Sequence, residues 1–120
     1  MPEERLLQDY LNDMIESISD IKDFTTGMTL EEFAKDRKTV NAVVRSLEII
    51  GEAANKIPSA ILTNYHGIPW QEIIGMRNRL IHEYFGVDLD IVWQTIKDDI
   101  NPLEAISKKI LSDLYGGESP

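Results

Sequence analysis

Residues 37–57 read Arg-Lys-Thr-Val-Asn-Ala-Val-Val-Arg-Ser-Leu-Glu-Ile-Ile-Gly-Glu-Ala-Ala-Asn-Lys-Ile, and a proline follows at 58. Val40, Val43, Leu47, Ile50, Ala54 and Ile57 recur at alternating intervals of three and four, the period of a helix that buries one face. The pattern predicts one long amphipathic helix that opens after Asp36 and stops at Pro58, whose ring cannot continue it.

The flanks repeat the same period. Toward the N-terminus, Leu7, Leu11, Met14, Ile18 and Ile21 form a helical stripe, with Pro2, Glu3 and Glu4 suited to its first turn and its end near Phe24. Thr25, Thr26 and Gly27 break it, and Thr29 with Glu32 makes a capping box for a short segment over Leu30 and Phe33. Beyond Pro58, residues 58–65 predict a brief helical turn, and Pro69 starts a further helix that Gly86 closes. Asp88 then caps the last helix, with Leu89, Val92, Ile96, Ile100, Leu103, Ile106, Ile110 and Leu114 on its buried side and a kink near Pro102. No segment alternates with period two. The fold class is therefore all-α, an up-and-down bundle of about four or five helices. Residues 1–115 form one domain and 116–120 a flexible tail without an apolar anchor.

Composition bounds the function. The chain has 120 residues, enough for one core, and its formal net charge of -9 opposes binding of nucleic acid through the field of the whole molecule. Two local basic sets, Lys35, Arg37, Lys38 and Arg45 in one segment and Arg77 and Arg79 in another, leave room for a groove if the fold joins them. There is no cysteine, and His66 and His82 are the sole histidines, without H-E-x-x-H spacing, so no metal site is expected. The acidic start Met1-Pro2-Glu3-Glu4 is unlike a signal peptide, and no apolar run approaches the roughly 20 residues that span a bilayer. A cytoplasmic protein without membrane contact is the expectation.

The chemistry concentrates in residues 76–85, Met-Arg-Asn-Arg-Leu-Ile-His-Glu-Tyr-Phe. Stepping back from Tyr84 by helical intervals gives Leu80, Arg77, Ile73 and Trp70, so Arg77 interrupts an apolar and aromatic stripe. His82 stands about 140° round the helix from Arg77 and shares a face with Asn78, Gly75 and Gln71. Two polar seams thus adjoin on one helix. Three plainer readings stand beside a catalytic one. Arg77 can pair with Glu48 or Glu52 on the long helix, His82 can serve the carbonyls at a helix end, and Tyr84 can be a rim aromatic. Gly51 and Gly75 lie inside helices at a cost of roughly 1 kcal/mol each relative to alanine, which predicts close helix contacts, at Gly75 across a two-fold axis if the chain dimerises.

The Arg-x4-His-x-Tyr pattern of Arg77, His82 and Tyr84 resembles the HEPN domain, in particular the HepT-like toxins of type VII-like toxin–antitoxin pairs. Two long blocks carry the resemblance: Arg-Ser-Leu-Glu-Ile-Ile-Gly-Glu-Ala-Ala at 45–54, and Trp-Gln-Glu-Ile-Ile-Gly-Met-Arg-Asn-Arg-Leu-Ile-His-Glu-Tyr-Phe-Gly-Val-Asp at 70–88. The resemblance implies a homodimer whose motif helices face one cleft. It implies a metal-independent endoribonuclease with Arg77 and His82 as the catalytic pair and Asn78 in support. It further implies a partner, a minimal nucleotidyltransferase antitoxin that transfers AMP from ATP to Tyr84 and so silences the toxin, which needs no cofactor of its own. The alternative is a non-catalytic substrate-binding or partner subunit of a nucleotidyltransferase, a role that the acidic charge suits.

Overall fold

Asp36 opens the longest helix by accepting the Thr39 N–H at 3.1 Å, and the same bond holds its carboxyl below the ordinary carboxylate value. A computed structural model of the chain describes residues 6–82 and 88–116, with side chains at 6–76 and 88–116. Its elements are α1 (Leu7–Thr25), α2 (Leu30–Lys35), α3 (Arg37–Lys56), α4 (Ser59–Leu62), α5 (Trp70–His82), α6 (Leu89–Asp98) and α7 (Ile100–Tyr115). No strand occurs among the described residues, and α2 and α4 are single short turns between five longer helices.

The caps are local chemistry. Thr29 and Glu32 close the reciprocal box at the start of α2, and the Asp88 carboxylate accepts the N–H groups of Asp90 and Ile91 at the start of α6. At the N-terminus the extended backbone of Leu6, whose N–H donates to Asp9, precedes α1 at Leu7. Residues 1–5 lie outside the described residues, as do 117–120 of the expected tail and 83–87, which hold Tyr84 and the expected Gly86 cap.

Packing follows the stripes. In space α5, α3, α1, α7 and α6 neighbour one another in that order, and α2 closes between α3 and α6 through Phe33, whose ring lies 5.2 Å from that of Trp93. Leu11, Met14, Ile18 and Ile21 of α1 meet Val43, Leu47, Ile50 and Ala54 of α3 in one continuous buried core. Lys22 of α1 donates to Glu104 of α7 at 2.6 Å, tying two helices far apart in sequence.

Two expectations sharpen at the C-terminal end. The interruption expected near Pro102 is a division at Asp99, which closes α6 through its N–H to Thr95 and accepts from Leu103 in α7. That division places Pro102 in the first turn of α7, where a missing N–H leaves no helical bond unmade and the ring meets no earlier carbonyl of the same helix. Leu114 is not buried. It is 44% exposed, because the last turn of α7 runs past the core, whose outermost member there is Leu111.

Candidate functional site

Everything at the site depends on how α5 is seated. Ile57 and Pro58 end α3, α4 makes one turn, and the chain reverses through Gly67, whose φ of +90° suits a residue without a side chain. The indole N–H of Trp70 then donates to the Tyr65 carbonyl at 3.1 Å, and the Tyr65 hydroxyl donates to Asp113 of α7 at 2.7 Å. Those two bonds pin the start of α5 to the end of α7. From there α5 runs back along α3 and buries Ile73 and Met76.

The α5 backbone is helical through His82, so positions 77, 78 and 82 stand on one helix. The register sets position 77 one turn beyond the buried Ile73, on the stripe that carries Trp70. The side chains of Arg77, Asn78 and His82 lie outside those described, and Tyr84 lies outside the described residues altogether.

On the facing helix, Glu48 is largely buried and has the Arg45 guanidinium 3.7 Å away, while Glu52 is exposed one turn on. Gly51 is buried between them in α3. Gly75 differs: among the described residues a methyl group there would meet nothing within 4 Å. No contact within the described protomer accounts for that glycine. Of the basic sets, Lys35, Arg37, Lys38 and Arg45 are all exposed around α2 and the first half of α3. His66 is an exposed loop residue.

The local field is uneven. Asp99 at the joint of α6 and α7 is partly buried, with Asp98 and Glu72 nearby, and burial above all, then those two charges, raises its carboxyl above the ordinary value. The first turn of α5 therefore has an acidic flank. Among the described residues no group of three or more histidines and carboxylates is placed to hold a metal ion.

One feature was not legible in the sequence. The end of α3 and the start of α5 enclose a groove of about 730 Å³, with Lys56, Asn55, Gln71 and Glu72 at its rim and Trp70 and Ile74 in its wall. Trp70 reads as a core aromatic in the helical stripe, and only the pairing of two helix ends separated by a prolonged turn turns it toward a cavity. The two prolines, 58 and 69, that bracket that turn are the sole sequence signal.

Comparison with known proteins bears on these positions. The model of the family described as ribonuclease HepT-like matches residues 14–110. A Thermococcus cleftensis protein named "Probable ribonuclease HepT" is 46% identical over 103 residues, covering 86% of this chain and 94% of its own. A Methanocaldococcus jannaschii protein named as a "Putative RNase" is 45% identical over 112 residues, covering 93% of each chain. Another so described, from Caldanaerobacter subterraneus subsp. tengcongensis, is 43% identical over 102 residues, covering 85% of this chain and 91% of its own. No solved structure matches.

Proposed function

The chain belongs to the HepT-like ribonuclease family, and on that premise we propose that it is a metal-independent endoribonuclease and the toxin of a toxin–antitoxin pair. The observation that carries the reading is the unbroken α5 helix that bears Arg77, Asn78 and His82 in a chain that matches the ribonuclease HepT-like family over residues 14–110.

RNA carries its own nucleophile. His82 takes the proton of a 2′-hydroxyl as its oxygen attacks the adjacent phosphorus, an assistance typically worth about 100 to 10,000-fold. Arg77 keeps its charge and holds two phosphate oxygens as negative charge builds on them. The bond to the 5′-oxygen breaks, and that oxygen receives a proton from the second His82 of a homodimer. The products are a 2′,3′-cyclic phosphate and a 5′-hydroxyl. Asn78, one residue from Arg77, supports the same phosphate. The open surface at Gly75 supports the dimer, since a glycine that nothing in the described protomer explains is one that a second copy can require.

A partner nucleotidyltransferase regulates the site by joining AMP from ATP to the Tyr84 hydroxyl, with pyrophosphate released. Tyr84 follows Arg77 by seven residues in the sequence, and the phosphate of the adduct competes for the guanidinium. One observation favours a second reading, a non-catalytic subunit that presents substrate to the nucleotidyltransferase: the net charge of -9 opposes a polyanionic substrate.

Expression with and without that nucleotidyltransferase separates the two. Growth arrest in its absence, relieved by His82→Ala, together with intact masses that carry adenylyl increments on Tyr84 when it is present, supports the toxin. Harmless expression with a stable, unmodified complex supports the subunit.

A further inference from the structure

We propose that the groove at Trp70 seats one nucleotide of single-stranded RNA next to the phosphodiester that is cut; the inference rests on the ribonuclease reading of α5. Trp70 and Arg77 are seven residues apart on one continuous helix, about 10 Å along its axis and within about 20° in azimuth. A strand held at Arg77 therefore passes the groove within the length of a nucleotide or two.

The groove has the properties that such a guest requires. Its volume of about 730 Å³ falls in the range of small-molecule sites and admits a base with its sugar. The indole is half-buried and its N–H is already committed to the Tyr65 carbonyl, so the ring is fixed before any ligand arrives. A fixed aromatic face stacks a base without first being ordered.

Polar groups stand round that face. Lys56 is exposed and makes no ion pair among the described residues, which leaves its ammonium for a phosphate. Asn55 and Gln71 are exposed amides, each a donor and an acceptor for a base edge. Glu72 repels phosphate and accepts from an exocyclic amino group, so the phosphate lies toward Lys56 and adenine or cytosine is favoured over uracil.

The charge of the whole molecule makes a local site necessary for such a substrate. With a net charge of -9 the chain does not hold a polyanion through its overall field, and a substrate of that kind needs a local cation and a stacking surface near the reacting phosphate. The groove supplies both, the cation from Lys56 at the end of α3 and the stacking surface from Trp70 on the helix that carries the catalytic pair.

The test is the fluorescence of Trp70 in the full chain carrying Trp93→Phe, which keeps a ring against Phe33 and leaves one indole. The probe is 2′-O-methyl hexaadenylate, which lacks the free 2′-hydroxyl and is not cut. Saturable quenching is expected, weaker with 2′-O-methyl hexauridylate. Lys56→Ala should lower the slope of log affinity against log salt by about one. On cleavable RNA, Trp70→Leu should raise KM about 10-fold with kcat within about twofold; should that variant misfold, the exposed Glu72→Ala is expected to erase the preference for adenine over uracil. Absence of quenching, or quenching and salt slope indifferent to Lys56→Ala, overturns the proposal. So does an indole signal that follows protein concentration and ignores RNA, which makes a second copy the occupant. RNA cut in a His82-dependent way with Trp70 silent removes the groove and spares the ribonuclease, whereas Trp70 quenched with no RNA cut does the reverse.

Discussion

The Tyr65 hydroxyl donates to Asp113 at 2.7 Å across 48 positions of sequence, while the carbonyl of the same tyrosine accepts the Trp70 indole N–H. One residue thus joins the last helix to the first turn of the helix that bears the motif. The bond to Asp113 above all, then burial and the nearby negative charge, raises the Tyr65 phenol above its ordinary value. Asp113→Asn should bring that value down, read from the tyrosine ring-carbon shifts against pH. Tyr65→Phe should leave the unfolding free energy nearly unchanged, because the bond is solvent-exposed and water replaces it. An unchanged phenol in Asp113→Asn would show that the two groups do not meet.

The Asp88 cap should be worth more. Its carboxylate serves two N–H groups that α6 otherwise leaves without partners. Asp88→Ala is expected to cost about 1 kcal/mol in urea unfolding with an unaltered denaturant slope. A cost near zero would mean that water serves those groups as well.

These caps were legible in the sequence because each depends on two or three adjacent residues. Thr29 and Asp88 cap where the reading placed them, the long helix opens after Asp36 as read, and the buried stripes from Leu11 to Ile21 and from Val43 to Ala54 stand as read too. Pro102 was harder: a proline interrupts a helix only beyond its first turn, and where that turn begins was decided by Asp99. Leu114 shares the period of the buried residues, yet period says nothing about whether a neighbour extends far enough to cover it. The groove at Trp70 needed the ends of α3 and α5 in the same place, which no local pattern encodes.

Asp99 gives a dependence on pH. Its carboxyl is raised in the folded chain by burial and by Asp98 and Glu72, so the native state holds that proton more tightly than the unfolded chain does. Its contribution to stability is then fully present below the unfolded value and is lost as pH rises through the folded one. Asp99→Asn should raise the thermal midpoint at about pH 7, and the gain should shrink toward about pH 4 as aspartate itself becomes protonated. A midpoint lowered at about pH 7 and restored toward about pH 4 would show that the charge is favourable at the joint.

Gly75 tests the second copy. A methyl group there meets nothing within 4 Å among the described residues, so Gly75→Ala should preserve the fold and stabilise a dissociated protomer by up to about 1 kcal/mol. Gly75→Leu should shift sedimentation from dimer toward monomer. A dimer that tolerates leucine at 75 has its two-fold contact elsewhere.

The most direct measurement is cleavage of a defined RNA by the purified chain in excess EDTA, with its ends identified, beside folded Arg77→Ala and His82→Ala variants. The account predicts 2′,3′-cyclic phosphate and 5′-hydroxyl ends from the unaltered chain, with each substitution lowering the rate by about 100-fold or more. Equal cleavage by all three proteins, or 3′-hydroxyl ends, would contradict it.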